Sequence, residues 1–208
     1  MVKMKPMVLA GIPLLLIVVG LAVLIWRMNA RQRAEAAYHA GLTQSIHVRS
    51  GMFEDNGDMP IKCSCEGEAL SPHLQWSNLP EGTKSVALLA TDEVLPSDRL
   101  PLFKIVHWVL YDIPTAVTEL RAGVATDELN QMGIVVGPNW AREAAFYPPC
   151  PVSGRHRYVF RVYGLDIDAL QPKTSARGDV LRAMDGHVLA YGELTGFYAK
   201  KGVKQEQR

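Results

Sequence analysis

The chain opens with a block pattern and then changes to short alternating runs. Residues Met7 to Trp26 form 20 consecutive uncharged, mostly apolar positions, with Lys3 and Lys5 before them and Arg27, Arg31 and Arg33 after. About 20 such residues span a bilayer as a helix, and a cleavable signal has a shorter apolar region and a small-residue cleavage site. The pattern therefore predicts a retained single-pass anchor at 1–26. A polar, Ala-rich extension or linker follows at 27–42, and a folded domain at 43–200. Residues 201–208 read as a frayed tail. The early position of the apolar block favours the N-terminus inside and the domain on the extracytoplasmic side of a membrane.

From Ser45 onward the runs are short and separated by turn residues. Ser45–Val48, Ile61–Cys65, Leu74–Trp76, Ser85–Ala90, Ile105–Tyr111 and Arg157–Leu165 read as strands, with Ser85–Ala90 apolar enough to be central. Glu54–Asp58, with Asn56-Gly57 at its tip, and Leu79–Gly82 read as turns. One helix is predicted at Ser175–Met184, where Ala176, Val180, Leu181 and Met184 recur at helical spacing and Asp185-Gly186 stops the run. An extended stretch from His187 to Tyr198 follows. Many short strands between turns predict a mostly β sandwich or barrel with one short late helix.

Charge changes the picture little: 22 basic and 21 acidic residues leave a net +1, and no basic block points to nucleic acid. Three cysteines, Cys63, Cys65 and Cys150, lack Cys-x-x-Cys spacing, so neither a redox motif nor a zinc ribbon is indicated. In an oxidising compartment one of the first two could bridge to Cys150; otherwise all three are buried thiols. No cofactor or metal signature is present.

The chemistry concentrates in three places. Asp92 follows the most apolar strand, His107 sits inside an apolar strand beside Trp108, and His156 and Tyr158 follow the Pro-rich stretch Phe146–Ser153 and the hinge Gly154. Side chains two apart on a strand share a face, so His156 and Tyr158 point together. An imidazole N–H and a phenol O–H are donors suited to anionic oxygens. Asp92 would orient a histidine, keep it cationic, or accept from an ammonium group.

Pro149-Cys150-Pro151, Gly154 and His156-Arg157-Tyr158 resemble a signature of the phosphatidylethanolamine-binding protein family, in its bacterial Raf-kinase-inhibitor-like branch. Pro60–Gly67, Ser71–Trp76, Asp92–Pro96, His107-Trp108, Gly137-Pro138-Asn139 and Gly186–Ala190 extend the similarity over about 50–198. The resemblance implies a Greek-key sandwich of two antiparallel sheets with a small anion pocket at one end. It places Asp92, His107, His156 and Tyr158 in that pocket and Pro149 and Cys150 at its rim. The pattern departs at Val94 and Glu93, where the family has Asp and Pro, and at Pro148 and Val152, where it has Gly and Pro. The implied function is a non-enzymatic binding or regulatory protein for a phosphate-type anion or phospholipid head group, held at a membrane by its N-terminal helix. The alternative is a module binding a protein partner, of the kinase- or protease-regulating kind, with a vestigial pocket. A hydrolase using Cys150 as nucleophile is the least favoured reading, because no oxyanion-hole motif accompanies it.

Overall fold

A computed structural model describes residues 7–97 and 100–200, with side chains at 16–93 and 103–200. Helix α1 (Met7–Ala40) is followed by strands β1 (His47–Arg49), β2 (Gly57–Asp58), β3 (Leu74–Ser77), β4 (Ser85–Ser97), β5 (Leu100–Pro114) and β6 (Glu119–Leu120). Helix α2 (Thr126–Gln131), β7 (Val135–Gly137), β8 (Arg155–Leu165), α3 (Arg177–Met184) and β9 (Val188–Ala199) complete the order. The expected tail at 201–208 lies outside the described residues.

Two sheets face each other. One has the order β1-β3-β6 and the other β2-β9-β8-β4-β5-β7. The larger sheet is mixed, because β2 runs parallel to β9; this corrects the expectation of two wholly antiparallel sheets. The two-residue β2 follows the turn at Asn56 (φ 60°), which lays it along the edge of β9 rather than back against a sequential neighbour.

Alternation along the central strands sorts their residues into two cores. Trp76, Leu88, Trp108, Leu110 and Phe160 fill the space between the sheets. Leu89, Val109, Tyr163 and Leu165 face the other way and pack under Val180 and Met184 of α3. The predicted late helix is thus present, stopped at Gly186 in a left-handed conformation (φ 81°) that favours glycine. The predicted strand at 61–65 is instead a single 3-10 turn, Ile61–Cys63. Pro60 precedes it, and Ser64 Oγ bonds back to the Ile61 carbonyl at 2.8 Å, so local turn bonding outweighs the period-two pattern. Helix α2, a six-residue element between turns, is too short to show a periodicity.

The N-terminal expectation is also corrected. Among the described residues no helix is long and apolar enough to cross a membrane. Helix α1 does not end after Trp26; it continues through Arg27, Arg31, Arg33 and Glu35 and docks on the domain. Near its end His39 bonds the Tyr163 hydroxyl at 2.8 Å, and Glu35 bonds Lys104 at 2.8 Å and Arg177 at 3.2 Å.

Candidate functional site

Three adjacent strands bring the predicted residues to one end of the inner core. In the β4–β8 register Asp92 lies opposite Tyr158. Exposed Arg155 and Arg157 alternate with buried His156 and Tyr158, which puts the latter pair on the inner face. Gly154 enters β8 at φ 71°, a conformation that turns the chain out of the Pro-rich loop.

His107 arrives by a bulge. Ala90 pairs with Trp108 and Thr91 with Val106, so one residue of β5, His107, has no opposite number. A bulge lets two successive side chains occupy one face. Trp108 packs in the inner core, and the His107 ring lies 5.0 Å from that of Tyr158, edge-on.

The site's polar atoms are held tightly. His156 Nδ1 donates to Asp92 Oδ2 at 2.6 Å, in a pair where both groups are buried. His107 Nδ1 donates to the Tyr147 carbonyl at 2.6 Å, while the Tyr147 N–H donates to the His107 carbonyl at 2.7 Å. The Pro-rich segment thereby clamps His107 through the Tyr147 main chain, and the Tyr147 ring packs beside the imidazole with centroids 5.5 Å apart. The main-chain part of this role carries no side-chain signature and has no counterpart in the sequence reading. Burial holds the His107 imidazole down to about 4, so it is neutral near pH 7. With Nδ1 carrying the proton, Nε2 presents a lone pair, and that atom is buried without a partner. Burial and then the charge of Asp92 push the Tyr158 phenol up, so it keeps its proton.

The two residues expected at the rim are placed differently from each other. Pro149 is buried, and its carbonyl accepts from Cys65 N–H at 3.0 Å. Cys150 is exposed and bonded to Cys65 across 85 residues. This selects one of the open cysteine pairings and removes the thiol a Cys150 nucleophile needs. Cys63 stays reduced and buried, its thiol pushed up to about 11 by burial. Glu93, next to Asp92, faces the opposite side of the sheet, toward Arg161, Lys104 and Arg157. The side chain of Val94 lies outside the described residues.

A family profile described as phosphatidylethanolamine-binding protein matches residues 49–199, which covers both sheets apart from the first two residues of β1, and every residue of this cluster. The chain belongs to the phosphatidylethanolamine-binding protein family. It is 38% identical over 156 residues to a UPF0098 protein of Methanothermobacter thermautotrophicus, covering 74% of this chain and 99% of that one. A UPF0098 protein of Chlamydia trachomatis is 34% identical over 155 residues, covering 74% and 99%. Among solved structures, a phosphatidylethanolamine-binding protein homologue from Chlamydia trachomatis aligns with TM-score 0.66 and 34% identity, over 76% of this chain and all of that one. E. coli YbcL, described as a new member of the mammalian family, aligns with TM-score 0.66 and 28% identity over 75% and 99%. Phosphatidylethanolamine-binding proteins are generally non-enzymatic, and membership suggests a binding or regulatory role.

Proposed function

We propose that this phosphatidylethanolamine-binding protein family member is a non-enzymatic binding protein whose inner-face cluster takes a phosphate-type anion, free or as a phospholipid head group. The observation that carries the reading is His107 Nε2, buried and without a partner beside the His156–Asp92 pair. An unsatisfied polar atom at that depth costs about 1–3 kcal/mol. A ligand that bonds to it recovers that cost. A phosphate bearing a proton donates to Nε2 directly; a fully ionised one draws a proton onto the imidazole, and Nε2–H then donates to an anionic oxygen. The His156–Asp92 pair and Tyr158 form the adjoining wall, and Pro149 and Cys150 shape the rim.

The test is a thermal-shift titration of the full chain with inorganic phosphate, phosphoethanolamine and acetate. The melting temperature is expected to rise with the logarithm of free phosphate above saturation. The rise is expected to vanish in His156→Ala. A larger shift with phosphoethanolamine than with phosphate identifies a head-group site. No shift with any anion overturns the reading. It would favour the second one, a protein-interaction module, which rests on the exposed Trp140, stacked on Phe103, and on the exposed Val152 of the Pro-rich loop.

A further inference from the structure

Helix α1 lies outside the segment that defines the family, 49–199, and adds a wall that the domain alone does not have. Where its C-terminal half crosses β5 and α3 it borders an open cleft of about 740 Å³, within the roughly 300–1,000 Å³ typical of small-molecule sites. Arg31 and Glu35 of α1, Lys104 of β5, Arg177 and Arg182 of α3, and Asp185 after it supply the charged lining. Cations outnumber carboxylates there.

Glu35 is already committed. It bonds Lys104 at 2.8 Å and Arg177 through both of its oxygens. Burial opposes its ionisation, but Arg177 and Lys104 outweigh that and hold it down to about 2. After these bonds are made, two buried atoms of the lining residues still lack a partner, the Tyr38 hydroxyl and Arg177 Nε. An N–H and an O–H left over in a cationic cleft both suit an acceptor of negative charge. Met28, Phe103 and Leu181 supply an apolar side, and the Phe103 ring stacks on Trp140 with centroids 6.4 Å apart. That side suits a flat apolar body.

We propose that the cleft between α1, β5 and α3 binds a small organic anion, a phosphate or carboxylate on a planar apolar body. Its oxygens accept from Tyr38 and Arg177, and Arg31 and Arg182 draw it in from the rim. This site is separate from the His107 cluster and does not depend on the function proposed for it.

The experiment is isothermal calorimetry of the full chain with phenyl phosphate, with benzoate, and with inorganic phosphate for comparison. Phenyl phosphate or benzoate is expected to bind one saturable site. Arg31→Glu and Arg182→Glu, both at exposed positions, are each expected to weaken it about tenfold by reversing a rim charge. Tyr38→Phe removes only the hydroxyl and is expected to weaken it several-fold. His156→Ala, which disables the other cluster, is expected to leave it in place. The proposal is overturned if neither organic anion binds, if binding disappears in His156→Ala, or if the two rim reversals leave affinity unchanged. Melting curves of the variants confirm that each remains folded before its affinity is compared.

Discussion

Asp92 and Glu93 are neighbours on one strand, yet they feed opposite kinds of site. Glu93 faces outward into a closed ion cluster, bonded to Arg161 at 2.6 Å, Lys104 at 2.9 Å and Arg157 at 3.1 Å. Burial opposes its charge, but Arg161 and Lys104 hold its carboxyl down to about 2. Asp92 faces inward, where it holds His156 next to a histidine that lacks a partner on Nε2. The two carboxylates have the same chemistry and nearly the same burial. What separates them is completion: among the described residues no buried side-chain atom of Glu93, Arg161 or Lys104 lacks a partner, whereas His107 Nε2 beside Asp92 and His156 does. A buried charge is thus no sign of function by itself.

The largest effect expected from this contrast comes from opening the closed side. Glu93→Ala leaves Arg161 and Lys104 buried with a missing partner, and breaking such a buried pair costs about 3–5 kcal/mol. Urea unfolding is expected to show that loss. If the folded fraction still permits titration, phosphate binding is expected to persist, because Glu93 lies on the other face.

The disulfide comes next. Cys65 and Cys150 tie the Pro-rich segment to the turn after Ile61–Cys63 and close a loop of 85 residues. A bridge of this kind contributes about 2–4 kcal/mol. Cys65→Ser with Cys150→Ser is expected to lower the urea midpoint accordingly. Cys63→Ser is expected to act through packing alone, since its buried thiol has no bond to lose.

The pH dependence follows from His107 and His39, both held down to about 4 from an ordinary 6.5, chiefly by burial. Between these values the unfolded chain binds protons that the folded chain does not. Stability is therefore fully retained above pH 6.5 and falls as pH drops toward 4. At about 1.4 kcal/mol per pKa unit, His107 alone accounts for a loss of up to ~3 kcal/mol. Glu35 and Glu93, held at about 2, add a second loss as pH falls from 4.5 toward 2. Urea unfolding between pH 7.5 and 4.5 is expected to show the first slope, and His107→Gln is expected to remove the His107 share of it while the His39 share remains.

Period-two alternation was enough to pair His156 with Tyr158, a near-continuous apolar run to mark β4 as central, and helical spacing to find α3. The resemblance carried Asp92 and His107 into the same cluster. Other features had no such signal. The bulge that frees His107 to share a face with Trp108 exists only in the pairing of β4 with β5. The hydrogen bonds of the Tyr147 clamp are main chain, which any residue but proline would supply. The cysteine pairing depended on where the Ile61–Cys63 turn set Cys65. The N-terminal block misled because hydropathy alone does not register where a helix ends. Helix α1 runs on past Trp26, and Glu35 and His39 bind it to the domain.

The most direct test of the open inner site is a nitrogen-detected NMR titration of the His107 imidazole with inorganic phosphate near pH 7. Without phosphate, Nδ1 is expected to carry the proton and Nε2 to show the shift of a bare lone pair. Added phosphate is expected to move the Nε2 resonance saturably toward a protonated or hydrogen-bonded position while Nδ1 stays put. An Nε2 resonance unmoved by phosphate, or one already protonated in its absence, would contradict the account.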